Sequence, residues 1–194
     1  MANNDELASL LEGLTQKTLL KNRKIVLSEG VGAATARKVI EQLLMLEADD
    51  SSKDIWMFVN SPGGEVNSGF GIYDTMRFIK PEVKVIVSGL AASIATVILM
   101  GAKKEHRYAM PNARLLIHQP LIGGSIHGQA TDIEITAREI IKTRERLALL
   151  YNKETGQPLE RIQLDMERDY WMTAEEAKEY GLISRIVESW NQLT

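Results

Sequence analysis

The chain has 194 residues, 44% hydrophobic and 25% charged, the balance of a single globular domain with a sizeable core. Its net charge of -3 gives no basic field for a phosphate backbone, so nucleic acid is excluded as an expected partner. The absence of cysteine removes disulfides, zinc–thiolate sites and thiol nucleophiles together; it leaves serine, threonine or lysine as covalent catalysts and suits a reducing compartment.

The opening residues, MANNDELASLLEGL, carry Asp5 and Glu6 where a secretory leader would be basic, and no long apolar run follows. No signal peptide is expected. After this polar segment, apolar β-rich runs alternate with helical patterns, the signature of a layered α/β domain. Residues 24–27 (KIVL) read as the first strand. Ala36, Val39, Ile40, Leu43 and Leu44 recur at helical spacing through 33–47, and 55–59 read as the next strand. SPGG at 61–64 breaks that strand, and Val66, Phe70, Tyr73 and Met76 mark a helix to about Lys80, stopped by Pro81.

Residues 83–87 read as a strand, Ser88-Gly89 as a turn, and about 92–100 as a helix of small and apolar residues. The uncharged run 85–102 has 18 residues, the lower limit for a membrane span. Ser88, Gly89, Ser93 and Thr96 interrupt it, which favours strand, turn and helix, and no membrane partner is expected. Strands at 107–110 and 114–117 flank a turn at Pro111-Asn112. A glycine-containing loop at 121–128 then leads to a long helical pattern at about 131–153, with Ile133, Ala137, Ile140, Ile141, Leu147 and Ala148 on its apolar side. Arg, Lys and Glu crowd the other face. Such a helix would overhang a small core, and a partner subunit or a solvated face would each account for it. Thr173 and Glu176 fit a capping box, Gly181 fits the end of the same short helix, and 185–187 read as the last strand. No linker divides the chain, so one domain is expected.

Serine-based hydrolysis needs a hydroxyl, a nearby base and backbone donors for the oxyanion. The chain has three histidines. His106 lies in the charge cluster KKEHR, His127 in the loop, and His118 at the end of an apolar strand, where site residues of layered α/β folds collect. That position serves a structural histidine equally well. Ser93 stands near a helix start, where unpaired amides such as that of Ile94 suit an oxyanion site. Close packing among Ala91, Ala92 and Ala95 would also select a serine. The glycine-flanked nucleophile elbow G-x-S-x-G is absent. The backbone at Gly63-Gly64 can face an anion, but no P-loop signature accompanies it, and the run Gly30-Val-Gly32 lacks the third glycine of a dinucleotide fingerprint. Neither metal nor cofactor is expected. Asp165 and Asp169 both remain open as an acid partner.

Four strings carry a resemblance in order and spacing: NSPGG at 60–64, GIYDTM at 71–76 with FIKP at 78–81, GLAAS at 89–93, and IHQP at 117–120 followed by GQATDIEI at 128–135. With these the chain resembles the ClpP family of serine peptidases over about residues 24–187. The resemblance implies a crotonase-like fold of repeated ββα units with a protruding handle helix, as residues 23–190 including a handle at about 121–155, preceded by an atypical N-terminal segment, 1–22. It implies Ser93 as nucleophile, His118 as general base and Asp169 as the acid that orients it, with Gly64 and Ile94 as oxyanion donors. Two stacked heptameric rings, homomeric or mixed, would enclose a proteolytic chamber in the cytoplasm. An AAA+ Clp unfoldase, docked near Phe58 and Phe78, would consume ATP and deliver unfolded protein substrates, with the cleaved peptide pairing as an added strand after Pro120.

The chain departs from the family pattern at three places. Ile-Ala-Thr follows Ser93 where the family usually has Met-Gly-Ala, which puts the Ala95 methyl beside the nucleophile with the expectation of a tighter substrate pocket. The 121–128 loop is longer by about two residues, with His127 as an expected pH-sensitive group. Residues 1–22 do not resemble the usual axial segment. The alternatives are a non-catalytic or partner-activated ring subunit, and a crotonase-type acyl-CoA enzyme, since the fold hosts several chemistries.

Overall fold

The computed structural model describes residues 4–121 and 128–193. In chain order the elements are α1 (Asn4–Lys21), β1 (Lys24–Leu27), α2 (Ala33–Asp49), β2 (Ile55–Ser61), α3 (Val66–Phe78), β3 (Val83–Ala92), α4 (Ile94–Leu99), β4 (Arg107–Ala109), β5 (Arg114–Ile117), α5 (Ala130–Thr155), α6 (Leu159–Asp165), β6 (Tyr170–Thr173), α7 (Ala174–Tyr180) and β7 (Arg185–Ile186). Residues 121–128 were expected as a loop, and the part from 122 to 127, with His127, lies outside the described residues.

The described residues form one seven-stranded sheet. β1, β2, β3, β4 and β7 run side by side and parallel, each parallel return being made through a helical crossover. Successive side chains of a strand point to opposite faces. Ile55, Met57 and Val59 of β2 and Val83, Val85 and Val87 of β3 are accordingly buried, while Trp56 and Phe58 between them are only partly so. α2 and α3 cover the sheet with stripes at helical spacing: Ala36, Val39, Leu43 and Leu46 from α2, and Phe70, Tyr73 and Met76 from α3. Leu44, expected in the stripe, points outward, and Leu46 takes the core position.

β3 corrects the expected Ser88-Gly89 turn. The strand runs unbroken from Val83 to Ala92, and its register on β2 shifts from Val59↔Val87 to Ser61↔Ala91. Two extra residues are absorbed as a bulge. Asn60 holds it: its Oδ1 accepts the Leu90 N–H at 3.1 Å, and a side chain at Gly89 would strike the same oxygen at 2.6 Å. Because of the bulge, the first half of β3 pairs with β4 and the second half with β5, which continues to β6 antiparallel. The uncharged run 85–102 is thus divided between β3 and α4, and no helix of the described residues is long and apolar enough to cross a membrane.

Three elements have no counterpart in the sequence reading. α6 and β6 are too short to show a period. α1 is an 18-residue helix whose Leu7, Leu10, Leu11 and Leu14 recur at helical spacing and are exposed. Of α5, only the end nearest Thr155 is buried, through Leu147, Ala148, Tyr151, Glu154 and Thr155, whereas Ile133, Ile135 and Ile141 are exposed. A buried polar cluster pins this root. The Arg107 side chain, fully enclosed, donates to the carbonyls of Ala102 at 2.8 Å and Met100 at 3.1 Å and pairs with Glu154. Arg77 holds the other Glu154 oxygen at 2.8 Å. Burial pushes the Arg107 pKa down, opposed by the Glu154 carboxylate, and the satisfied fork is what makes the enclosed charge tolerable.

Candidate active site

Three neighbouring strand ends build the site. Ser93 follows the last residue of β3, His118 follows the last of β5, and Asp169 precedes the first of β6. The Ser93 N–H donates to Leu116 O at 2.9 Å, which fixes the first junction against β5. The antiparallel register Ile117↔Tyr170, continued by one residue, sets His118 opposite Asp169. The side chains meet accordingly: His118 Nε2 lies 2.8 Å from Ser93 Oγ, and His118 Nδ1 lies 3.0 Å from Asp169 Oδ1. The His118 side chain is 15% exposed and that of Asp169 63%, so the imidazole is shielded while the acid flank is open.

Ser93 has φ 57 and ψ −127, a positive-φ backbone that costs a residue with a β-carbon about 1–3 kcal/mol. Arg23 is the other non-glycine residue of this kind among the described ones, and there the guanidinium takes the carbonyls of Asp50, Lys53 and Asp54. Strain by itself therefore does not mark chemistry; at Ser93 it coincides with a histidine on the hydroxyl. The missing G-x-S-x-G string proves uninformative, because the strand–serine–helix turn is present with alanines in place of glycines.

The turn at 61–64 packs face to face with this junction. The enclosed Ser61 hydroxyl donates to Glu29 O at 2.6 Å and accepts the Gly63 N–H at 3.1 Å. Val31 is stitched to it from both sides, through Val31 N–H to Gly63 O at 2.8 Å and Glu65 N–H to Val31 O at 2.7 Å. Gly63, at φ 87, has no room for a side chain: a Cβ would stand 2.5 Å from Ala92 O and 2.8 Å from Ser93 Cβ. Gly64, at φ 151, is closed off by Val31 O at 2.2 Å. The amide of Ile94 opens α4 and has no intrahelical acceptor. Neither it nor the Gly64 amide donates to a carbonyl among the described residues.

A hollow of about 10 Å³ beside the pair is lined by Val66, Ser93, Ile94, Val97, His118, Pro120, Leu147 and Tyr151. This is space for about one water. Ala95 does not line it; it is fully buried in the main core, so the expected tightening by its methyl is not what limits the hollow. The walls are Val97 and the α5 residues Leu147 and Tyr151. Leu147 belongs to the apolar stripe expected from the sequence, and Tyr151 lies one turn further along the same stripe. A larger cavity of about 380 Å³ lies behind Gln119, among Arg144, Glu145, Glu160, Gln163 and Glu167, and does not reach Ser93 or His118.

The other candidates separate. Asp165 accepts from the Tyr180 hydroxyl at 2.8 Å and pairs with Arg161, away from the histidine. His106 is half-buried, with its Nδ1 3.1 Å from Glu82 and far from Ser93 in the fold. Phe58 stacks on Trp190 with ring centres 6.5 Å apart, while Phe78 is 84% exposed. A family model described as Clp protease matches residues 12–190, a range that holds every residue named above at the site.

Proposed function

The chain belongs to the Clp protease family, and we propose that it is a ClpP-type peptidase that hydrolyses peptide bonds with Ser93 as nucleophile, His118 as general base and Asp169 as the acid that orients the imidazole. The observation that carries this is the continuous chain Asp169–His118–Ser93, linked at 3.0 and 2.8 Å and ending on a serine at positive φ. Ser93 Oγ attacks the substrate carbonyl carbon as His118 Nε2 takes its proton. The Gly64 and Ile94 amides receive the negative oxygen, and Asp169 steadies the imidazolium through Nδ1–H. Collapse breaks the C–N bond, and the proton passes to the leaving amine. A water, deprotonated by His118, then releases the acyl group and restores the serine.

The proposal extends to a single peptidase domain, 23–190, after an N-terminal segment, 1–22. It includes assembly into two stacked heptameric rings and delivery of unfolded protein by an ATP-consuming AAA+ partner in the cytoplasm. The exposed apolar side chains of Ile133, Ile135 and Ile141 on α5 support a second subunit against that helix.

The test is labelling by a fluorophosphonate and cleavage of a fluorogenic short peptide, beside Ser93→Ala, with particle size read by light scattering. Labelling should vanish in the variant, and turnover should fall by about a millionfold. Ring-sized particles that are never labelled would make the chain a non-catalytic or partner-activated subunit. A small unlabelled species would remove the assembly as well.

A further inference from the structure

We infer that Tyr151, acting through Thr96, is a positioning residue for the Ser93–Ile94 peptide, the unit whose N–H faces the oxyanion; this rests on the peptidase reading above. Ser93 O is held twice, by the Thr96 N–H at 3.0 Å and by the Thr96 hydroxyl at 2.6 Å. The same hydroxyl lies 2.5 Å from the Tyr151 hydroxyl. Thr96 has one hydroxyl proton and Ser93 O can only accept. That proton therefore goes to the carbonyl, and Tyr151 O–H donates to Thr96 Oγ1. The order is fixed: Tyr151 to Thr96 to the Ser93 carbonyl.

A trans peptide is planar, with its C=O and N–H pointing in opposite directions. Clamping Ser93 O on one side therefore sets the direction of the Ile94 N–H on the other. This junction has need of a clamp. Ser93 sits in a strained conformation at the N-cap, and its hydroxyl, which would ordinarily cap α4, is engaged with His118. A threonine bonding back to a carbonyl three residues earlier is ordinary in helices. The unusual part is a phenol brought in from α5, fifty-five residues away along the chain, to hold that threonine. Both side chains are enclosed. Burial also pushes the Tyr151 phenol up, so it remains a protonated donor through the neutral range. The root of α5 thus reaches the reacting centre by a hydrogen-bonded path as well as by packing Leu147 and Tyr151 against the hollow.

The experiment measures kcat and KM for a short peptide and Ki for a peptide aldehyde, whose hemiacetal oxygen occupies the oxyanion position, in wild type, Tyr151→Phe, Thr96→Val and Thr96→Ser. Rates are normalised to sites titrated with fluorophosphonate. Loss of an oxyanion donor itself costs about 100- to 1000-fold in kcat. Loss of its clamp should cost less: about tenfold in Thr96→Val and severalfold in Tyr151→Phe, with KM within about twofold and Ki weakened by the same factor as kcat. Thr96→Ser, which keeps the hydroxyl, should stay within about twofold of wild type. The acid limb of the pH profile should not move. Tyr151→Phe strands no buried polar atom and carries the test should Thr96→Val fold poorly. Unchanged kcat in both variants, or a loss that disappears on normalising to titrated sites, overturns the inference while leaving the peptidase reading intact. A wild-type chain that is neither labelled nor active removes both.

Discussion

Two strand-to-helix junctions place a hydroxyl residue at the N-cap and use it in opposite ways. At β6 to α7, Thr173 has φ −70 and ψ 173; it accepts the Glu176 N–H at 3.2 Å, while the Glu176 carboxylate accepts the Thr173 N–H at 2.7 Å. This reciprocal box satisfies amides that α7 would otherwise leave unpaired. At β3 to α4, Ser93 has φ 57, makes no side-chain cap, and holds its hydroxyl 2.8 Å from His118. The first junction lowers the free energy of the fold. The second forgoes a cap and accepts backbone strain, and it is where the histidine, the open Ile94 amide and the small hollow converge.

The comparison breaks first at the turn facing Ser93. Gly64→Ala should destabilise the fold by about 3 kcal/mol in urea unfolding, because a side chain there meets Val31 O at 2.2 Å and takes φ 151. Peptidase activity should be lost with it. An alanine tolerated there with full activity would mean that the Gly64 amide is not placed as described.

Ser93 gives a sharper contrast. Ser93→Ala removes the hydroxyl yet keeps the strain; Ser93→Gly removes both. The glycine variant should be the more stable of the two by about 1 kcal/mol, with neither active. A glycine variant less stable than the alanine one by the usual entropy cost of glycine, about 0.4–1 kcal/mol, would show that φ 57 costs nothing.

The smallest effects belong to the other junction. Thr173→Ala should cost about 1 kcal/mol of unfolding free energy and leave peptide cleavage unchanged. The Thr173 N–H holds the Glu176 carboxyl below its ordinary value. A carboxyl lowered in the folded state adds stability above the ordinary carboxylate range and loses it as the pH falls through its folded value. The advantage of wild type over Glu176→Gln should therefore be present at neutral pH and close on acidification.

Residues 24–27 emerge as a strand with the expected bounds because KIVL is apolar and β-branched between polar neighbours. Thr173, Glu176 and Gly181 behave as read, since capping is local chemistry. Ser88-Gly89 does not: the dipeptide has the composition of a turn, but Asn60 of the neighbouring strand takes the Leu90 N–H and keeps β3 extended. α1 is not legible in the sequence because Leu7, Leu10, Leu11 and Leu14 stand at helical spacing in a polar segment and are left exposed by the rest of the chain.

The sequence by itself determined the alternation of strands and helices, the cap of α7, and a short set of residues able to do serine chemistry. These depend on neighbours within a few positions along the chain. Residue pattern left Asp165 and Asp169 open, with Asp169 favoured by the family resemblance alone, and nothing in it connected Tyr151 to Ser93. Those choices belong to the tertiary structure, because Ser93 and His118 are 25 residues apart and His118 and Asp169 are 51. Their meeting depends on strand register, in which a slip of one residue turns every side chain to the opposite face of the sheet.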